Sequence, residues 1–351
     1  MRVSKTFGVG IVGAGMIGKV HAAELTGVEG AQLLAVVEPR EEAGRELAGF
    51  YGAEWHPELE GLLAREDVDV VVLCTPSGLH PDEAVAAARA GKHVITAKSM
   101  AITLDGVDRM IGACREASVT LSVIFQYRFN RDAVRVKRAL EAGLFGRQVL
   151  GNALVHWHRT QGYYEEKGGW RGTWKLDGGG ALMNQSVHAV DLLQWLLGPV
   201  ESLCAYTETL THDIETEDLA TAALRFHSGA MGVIQGTTCT HRDYPLKVEL
   251  LRGTEGGATF EGTRLIDWHS NRDEEVLSEE ELALFPDSVH EYFGAAHGRQ
   301  LREIFDPLRE GREPPVPGEE ACKAVEIILG TYRAARSGER VSFPLRTVET
   351  S

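Results

Sequence analysis

A histidine and two polar neighbours lie on one predicted helix, at spacings that suit proton transfer. Apolar residues recur at roughly helical intervals from Ala181, and a Gly-Pro dipeptide ends the helix. Asn184, His188 and Asp191 are four and three residues apart, which predicts one shared face where the imidazole meets an amide and a carboxylate. A core histidine held by its neighbours for structural reasons would give the same pattern.

A glycine motif near the N-terminus predicts a dinucleotide site. The β-branched run Phe7–Val12 is followed by Gly13, Gly15 and Gly18, then by a helical pattern, and the next strand ends at Glu38. In such a unit the first glycine forms a tight turn, the second admits the pyrophosphate, and the third lets the helix approach the strand. The strand, the helix and the acidic residue all agree with the motif, so we predict cofactor binding.

The residue at the end of the second strand indicates which cofactor is bound. The Glu38 carboxylate can accept hydrogen bonds from the adenosine ribose and would repel a 2′-phosphate, which favours NAD and makes NADP less likely. Arg40 complicates this preference, because a guanidinium could stack on adenine or contact a phosphate. The predicted cofactor-binding residues in this region are Gly13, Gly15, Met16, Ile17, Gly18, Glu38 and Arg40.

Two later turns should border the nicotinamide half of the cofactor. Each follows a predicted strand, and ligands of doubly wound sheets collect at the carboxyl ends of the strands. Lys98 is therefore well placed for chemistry, although a solvated lysine after a strand would look the same in sequence. The residues assigned to these turns are Thr75, Pro76, His80, Ala97 and Lys98.

The chain divides into two predicted domains. A strand at Thr120–Phe125 completes an N-terminal doubly wound parallel sheet, which gives a Rossmann domain over residues 1–125 and an α/β domain over 126–351. Alternating patterns after residue 148 predict a mostly antiparallel sheet, and helices are expected at His290–Arg309 and Gly318–Ser337. His156 and His158 point the same way on one strand, but no further ligands accompany them, so we predict no metal.

Composition excludes several classes of protein. The 351 residues are 43% hydrophobic and 25% charged, which suits a folded two-domain chain. The net charge of -15 opposes binding to nucleic acid or to anionic membranes, and no apolar window reaches membrane-spanning length. The five cysteines are scattered singly and no signal-type segment opens the chain, so we expect a cytoplasmic protein with reduced thiols.

Three features together resemble one family of oxidoreductases. They are the motif Gly13-x-Gly15-x-x-Gly18, the segment from Thr75-Pro76 to His80 ahead of Lys98, and the stretch from Gly178 through His188 to Asp191. All three are similar to those of the glucose-fructose oxidoreductase, inositol dehydrogenase and rhizopine-catabolism (Gfo/Idh/MocA) family. The resemblance implies a Rossmann domain followed by an α/β domain with a large open antiparallel sheet, whose exposed face forms homodimers or homotetramers.

The resemblance also implies catalytic roles for two residues. Lys98 and His188 match the family's lysine and histidine beside the nicotinamide, and we expect His188 to accept a hydroxyl proton while Lys98 polarises the reacting oxygen, or the reverse. The chain departs from the family pattern at two places. Ala97 and Ser99 replace a glutamate and a proline beside the lysine, and Asn184 replaces an aspartate, which removes a charge that could stabilise imidazolium.

The predicted substrate is a sugar, a sugar derivative or a cyclic polyol with a secondary hydroxyl or ketone. Aromatic residues near the glycine stretch, including Trp170, suit the apolar faces of sugar rings, but could equally belong to the core. Arg128, Arg159 and Arg171 could bind a carboxylate or phosphate. The expected substrate-binding residues are Lys98, Arg128, Trp170, Asn184 and His188. Two alternatives stay open: a nucleotide-sugar dehydrogenase of biosynthesis, and a non-catalytic NAD- and sugar-binding sensor.

Overall fold

The computed structural model describes residues 5–272, 276–285 and 294–345. These residues form two compact units. The first unit comprises the described residues within Met1–Phe129 and Glu291–Cys322, and the second comprises those within Asn130–His290 and Lys323–Ser351. The predicted division assigned everything from 126 to 351 to the second domain. The structure instead groups the segment 294–322 with the first unit.

Six parallel strands form the sheet of the first unit, in the order β3-β2-β1-β4-β5-β6. Every residue of the two central strands, β1 and β4, is buried, as their unbroken apolar runs require. This strand order confirms the predicted doubly wound Rossmann sheet. The strands are β1 (Phe7–Val12), β2 (Ala31–Val37), β3 (Glu54–His56), β4 (Val70–Leu73), β5 (His93–Thr96) and β6 (Leu121–Val123). The helices between them are α1 (Met16–Leu25), α2 (Glu41–Tyr51), α3 (Leu59–Leu63), α4 (His80–Arg89) and α5 (Leu104–Glu116).

The sequence did not predict three short elements of the first unit. They are the edge strand β3, the helix α3 and a 3₁₀-helix at Gln126–Phe129. Each spans five residues or fewer. Segments this short complete hardly more than one helical turn or one strand repeat, so periodicity carries little signal there.

Eight strands form the sheet of the second unit, in the order β13-β12-β11-β7-β10-β9-β8-β14. The pair β7 and β10 is parallel and every other neighbouring pair is antiparallel, which confirms a mostly antiparallel sheet. The strands are β7 (Gln148–His156), β8 (Val200–Glu208), β9 (Leu219–Phe226), β10 (Met231–Thr237), β11 (Leu246–Gly253), β12 (Gly256–Glu261), β13 (Arg264–Ser270) and β14 (Val341–Ser342). The helices are α6 (Arg131–Glu141), α7 (Gln161–Glu165), a 3₁₀-helix (Glu166–Gly168), a π-helix (Ala181–Ser186), α8 (Val187–Leu197) and α9 (Glu279–Ala283).

Helix α8 packs closely against the sheet of the second unit. A Cβ atom at Gly151 of β7 would lie 2.0 Å from Cδ1 of Leu197, so only glycine allows this approach. Helix α8 buries nine of its eleven residues. The helix that follows the glycine stretch is therefore fixed against the sheet.

The chain returns to the first unit through α10 (Ala295–Glu310). The start predicted for this helix, at His290, lies outside the described residues. Phe305 is fully buried with its ring centroid 5.9 Å from that of Phe7, and the Gln300 side-chain amide donates to the carbonyl of Val123 at 2.8 Å. An amphipathic pattern predicts a helix but not which surface it covers, which is why the sequence placed this segment in the wrong unit.

The longest described helix is α11 (Gly318–Ser337), with 20 residues. Acidic residues occupy its first turn and Arg336 its last. Across the described ranges, no helix combines the length and the apolarity that a membrane span requires.

Candidate active site

The glycine turn between β1 and α1 has the geometry that a dinucleotide site needs. Gly13 has φ +101°, and a Cβ atom at Gly18 would lie 1.9 Å from the carbonyl oxygen of Gly13. Both glycines are thus required by the fold itself. A Cβ atom at Gly15 would have no protein atom within 4 Å, so this glycine leaves open space where a ligand can approach the backbone.

Helix α1 begins directly at this turn. Gly15 is its N-cap and supplies no side-chain hydrogen bond, and Met16 is the first helical residue. The amide groups of the first turn and the positive end of the helix dipole favour a phosphate. Gly15, Met16 and Ile17 therefore lie where the pyrophosphate was predicted to bind, and the residues present fit the cofactor.

Glu38 supports the glycine turn from the end of β2. Its side chain is buried; one carboxylate oxygen accepts from the amide of Ala14 at 2.9 Å, and the Arg40 guanidinium donates to both oxygens at 2.7 and 3.0 Å. Burial alone would raise the pKa of Glu38, but the bonds from Arg40 and Ala14 lower it below the ordinary value. The charge of Arg40 is thus paired with a carboxylate, which weakens it as a partner for a 2′-phosphate.

His80 joins the two turns that follow β4 and β5. The ring is fully buried, with Nδ1 3.0 Å from the carbonyl oxygen of Ser99 and Nε2 2.9 Å from that of Thr75. Burial lowers the pKa of His80 to about 4. His80 was predicted to bind the cofactor; the structure buries it behind the turns, where the neutral ring can donate to the carbonyl of Thr75 or to that of Ser99.

Lys98 is the one residue from 94 to 101 that is not buried. It lies two residues beyond the end of β5, between buried Ala97 and buried Ser99, and the peptide bond between Lys98 and Ser99 is cis. Its side chain is therefore partly exposed at the carboxyl end of the sheet. The sequence predicted Lys98 at this end of the sheet, where ligands of doubly wound sheets bind.

The helix that carries His188 begins as a π-helix. Residues Ala181–Ser186 form this segment, in which the Ser186 hydroxyl donates to the carbonyl of Ala181 at 2.7 Å, and α8 follows at once. The sequence predicted one regular helix from Ala181. A π-helix takes more residues per turn than an α-helix, so spacing alone does not give its exposed face, and π-segments often occur at functional sites.

The exposed face of this helix differs from the predicted one. Asn184, Gln185 and His188 are half-buried, while their immediate neighbours along the helix are buried. Asp191, predicted to share the face with His188, is fully buried. Gln185, which the sequence left out of the site, belongs to the face instead.

Asp177 supplies the carboxylate that position 184 lacks. The Asn184 amide nitrogen donates to one oxygen of Asp177 at 2.7 Å, and the other oxygen accepts from the amide of Gly172 at 2.9 Å. Asp177 is buried. The bond orients Asn184 so that its Oδ1 accepts from the side chain of Gln185 at 3.0 Å. The sequence missed Asp177 because it precedes the glycine stretch and shares no helical register with Asn184.

Glu217 anchors the start of the same helix. Its carboxylate accepts from the amides of Gly180 and Leu182 at 3.0 and 2.8 Å and from the Tyr332 hydroxyl at 2.9 Å. Burial raises the pKa of Glu217 to about 7, against the backbone donors that favour its charged form. A Cβ atom at Gly180 would lie 2.0 Å from the Glu217 carbonyl oxygen, and one at Gly179 would lie 2.1 Å from the Tyr332 hydroxyl. The glycines therefore serve close packing here.

The two remaining predicted substrate residues have different surroundings. Trp170 is half-buried in the second unit, and the guanidinium of Arg171 lies 5.0 Å from its ring centroid. Arg128 is buried in the first unit and donates to the Glu320 carboxylate at 3.0 Å. That ion pair gives Arg128 a structural role, between the 3₁₀-helix and the start of α11.

Comparison with known proteins identifies the family. Residues 7–125 match the model of the oxidoreductase family with an NAD-binding Rossmann fold, and residues 133–259 match that of the GFO/IDH/MocA C-terminal domain. The chain belongs to the Gfo/Idh/MocA family. The predicted resemblance and NAD as the cofactor are thereby confirmed.

Several members of the Gfo/Idh/MocA family are similar over nearly their whole length. The WlbA dehydrogenase from Bordetella pertussis, solved with NADH and UDP-GlcNAcA, is 36% identical with TM-score 0.89, over 97% of this chain and 99% of that chain. The WlbA dehydrogenase from Chromobacterium violaceum, solved with the same two ligands, is 34% identical with TM-score 0.86, over 99% and 98%. Myo-inositol 2-dehydrogenase from Thermotoga maritima is 28% identical over 94% of this chain and 96% of its own.

One group of side chains in this Gfo/Idh/MocA protein has the composition of a metal site. His212, Asp218 and Cys239 place their ligand atoms within 4.8 Å of one another. Their atoms are already engaged, because His212 Nδ1 lies 2.9 Å from the Asp218 carboxylate and Nε2 lies 2.9 Å from the carbonyl oxygen of Arg159. Asp218 also accepts three backbone amides. We interpret the group as a structural support for Arg159.

The hydrogen bond between Asp177 and Asn184 predicts that exchanging the two residues restores stability that a single substitution loses. Asp177→Asn removes a charge-assisted hydrogen bond and should lower the free energy of unfolding by about 1.5 to 3 kcal/mol. The double variant Asp177→Asn/Asn184→Asp restores one carboxylate and one amide and should recover most of that loss. Urea denaturation measures both, and a double variant less stable than Asp177→Asn alone would contradict the pairing.

Asn184→Asp alone serves as the control. It sets two carboxylates against each other, so one of them takes up a proton with a raised pKa. Relative to the wild type, this variant should be most stable at pH 5 and lose stability as the pH rises through that raised pKa. A difference from the wild type that is the same at pH 5 and pH 8 would show that the two side chains do not face each other.

Proposed function

We propose that the protein is an NAD-dependent dehydrogenase that oxidises a secondary hydroxyl of a sugar, a sugar derivative or a cyclic polyol, or reduces the corresponding ketone. The observation that carries the proposal is the position of Lys98, which alone of residues 94–101 reaches the surface, at the carboxyl end of the NAD-binding sheet. Family membership supports the reaction type. Myo-inositol 2-dehydrogenase, a relative of similar length, acts on a cyclic polyol by its name.

The proposed chemistry divides between two side chains. NAD, when bound, would supply the hydride acceptor, and NADH would supply the hydride donor for the reverse direction. His188 takes the hydroxyl proton, and Lys98 holds and polarises the hydroxyl oxygen as negative charge develops on it. The overall reaction is the same if the two residues exchange these roles. Asn184 is held by its hydrogen bond to Asp177 and orients the substrate. Trp170 offers an aromatic face to the sugar ring. Arg128 stays a predicted substrate residue, although its ion pair with Glu320 supports a structural role better.

The geometry of the first unit supports the proposed cofactor contacts. The glycine turn and the first amides of α1 bind the pyrophosphate, Glu38 accepts from the adenosine ribose, and Arg40 lies beside the adenine. The two later turns border the nicotinamide, with His80 supporting them from below. The complete set is Gly13, Gly15, Met16, Ile17, Gly18, Glu38, Arg40, Thr75, Pro76, His80, Ala97 and Lys98.

A nucleotide-linked sugar is the second candidate substrate. The two WlbA dehydrogenases are 36% and 34% identical to this chain, compared with 28% for the inositol dehydrogenase. Both were solved with NADH and UDP-GlcNAcA. This similarity supports a UDP-linked sugar as the second candidate, within the same hydride-transfer reaction.

A turnover assay tests the proposed function. NAD and a panel of myo-inositol, glucose, glucuronate, UDP-GlcNAc and UDP-GlcNAcA are offered in turn, and the absorbance of reduced nicotinamide is followed. Lys98→Met and His188→Asn should each lower the rate by about a hundredfold or more, because each removes a group that assists proton transfer or charge stabilisation. NAD affinity, measured by calorimetry, should stay close to that of the wild type in His188→Asn.

The exposed His227 provides the matched control, and His227→Asn should leave the rate unchanged. Full activity in the Lys98→Met/His188→Asn double variant would contradict the assigned roles. NAD binding without turnover of any panel member would support a sensor in place of an enzyme.

We further propose that the protein acts in the cytoplasm as a homodimer or homotetramer built on the second unit's sheet. That sheet exposes apolar side chains, among them Tyr206 and Met231, which are 83% and 59% exposed. Apolar area of this kind favours a partner surface, here a second copy of the chain. Sedimentation velocity should give the mass of a dimer or tetramer, reduced to a monomer in Tyr206→Glu/Met231→Glu; a monomeric wild type would contradict the assembly. Recovery from the cytoplasmic fraction of the source cells checks the location.

A further inference from the structure

Two arginines and a tyrosine form a compact cluster in the second unit. The guanidinium carbon of Arg159 lies 4.8 Å from the ring centroid of Tyr163, and that of Arg171 lies 4.4 Å from the same centroid. Each arginine also packs on a tryptophan, Arg159 on Trp157 at 4.7 Å and Arg171 on Trp170 at 5.0 Å. Aromatic contacts of this kind hold a guanidinium plane in place while its donors stay available.

The two arginines bind only neutral groups within the described residues. Arg159 donates to the side-chain oxygen of Gln185 at 2.8 Å and to the carbonyl of His158 at 3.5 Å, and Arg171 donates to the carbonyl of Tyr163 at 3.3 Å. The Nε atom of Arg159 is buried without a hydrogen-bond partner. Neither guanidinium therefore has a carboxylate partner within the described residues, although the chain carries 51 aspartates and glutamates. A bound anion would supply the missing negative charge.

The cluster is bonded to the exposed face of the helix that carries His188. Gln185 accepts from Arg159, and its amide nitrogen donates to the Tyr163 hydroxyl at 2.8 Å and to Oδ1 of Asn184 at 3.0 Å. An anion bound by the arginines would therefore lie beside Asn184, on the face where the substrate is proposed to bind.

The backbone of Arg159 is fixed on both sides. Its amide donates to the carbonyl of Thr238 at 3.0 Å, and its carbonyl oxygen lies 2.9 Å from Nε2 of His212. His212 in turn is held by the fully buried Asp218 at 2.9 Å. Little ordering is then left to occur when a ligand binds, which is the condition for tight recognition.

We propose that Arg159 and Arg171 form an anion-binding subsite that selects a negatively charged sugar as substrate. The inference rests on the proposed dehydrogenase function and adds its substrate class. The guanidinium groups suit a planar or tetrahedral oxyanion through paired hydrogen bonds. A ring carboxylate and the diphosphate of a nucleotide-linked sugar share this chemistry, so the test has to distinguish them.

Four probes separate the two sources of the anion. They are N-acetylglucosamine and its C6 carboxylate, N-acetylglucosaminuronate, each as the free sugar and as the UDP conjugate. Affinities are measured by calorimetry on the full chain loaded with NADH, so that the readout does not depend on turnover. The wild type should prefer at least one anionic probe over neutral N-acetylglucosamine.

Arg159→Gln and Arg171→Gln should each lower the affinity for the preferred anionic probes by about tenfold to a hundredfold, as expected for a lost charge-assisted hydrogen bond. A loss confined to the uronates assigns the carboxylate to the subsite, and a loss confined to the UDP conjugates assigns the diphosphate. Arg171→Lys retains the charge without the planar fork and should fall between the wild type and Arg171→Gln. The exposed Arg147 gives the matched control, and Arg147→Gln should bind every probe like the wild type.

Three results would overturn the subsite: no preference for an anionic probe in the wild type, unchanged affinities in both arginine variants, or equal loss for neutral and anionic probes. Circular dichroism of each variant shows whether it is folded. Turnover of neutral sugars by a wild type without any anionic preference would refute the subsite while leaving the dehydrogenase function intact. Strong binding of an anionic probe without turnover would support the subsite and refute the dehydrogenase function.

Discussion

The Glu217 carboxylate sets the geometry on which the second unit's site depends. It accepts hydrogen bonds from the amides of Gly180 and Leu182 and from the hydroxyl of Tyr332. These bonds fix the point at which the helix that carries His188 begins. A helix start buried without such acceptors would leave backbone donors unpaired, at a cost of about 1 to 3 kcal/mol each. The glycines before the helix follow from the same contact, because any side chain there would collide with Glu217 or Tyr332.

The π-turn after this anchor decides which side chains reach the surface. With Ser186 bonded to Ala181, the polar residues Asn184, Gln185 and His188 are half-exposed on an otherwise buried helix. Asp177 orients the first of them, and Gln185 connects the helix to the two arginines on Tyr163. The Asp177–Asn184 pair and the two arginines are thereby connected through hydrogen bonds within one unit.

The first unit could be predicted largely from its sequence, because its signals are local. Gly13 and Gly18 are required by backbone geometry, Gly15 leaves open space beside the turn, and Glu38 lies at the end of the second strand, as its position in the sequence predicted. The return of α10 to this unit could not be predicted, since an amphipathic helix does not specify its partner. The ion pair between Arg128 and Glu320 could not be predicted either, because the two residues are distant in the chain.

The site of the second unit was only partly predictable. His188 and Asn184 were found through regular helical spacing, but that spacing assumed an α-helix, and the π-turn exposes Gln185 while Asp191 is buried. Asp177 and Glu217 act through hydrogen bonds across loops, for which the sequence has no periodic signal. The arginines were visible as candidates, yet their selection required the packing around Tyr163 and the absence of an acidic partner within the described residues.

In the proposed reaction a hydride passes directly between a sugar carbon and NAD. This transfer is tested most directly with the sugar that reduces NAD in the panel, prepared with deuterium on each ring carbon that bears a hydroxyl group. Mass spectrometry and NMR of the reduced cofactor should show one deuterium at C4 of the nicotinamide ring and no loss to water. Reduced cofactor without deuterium, or no transfer from any sugar offered, would contradict the account.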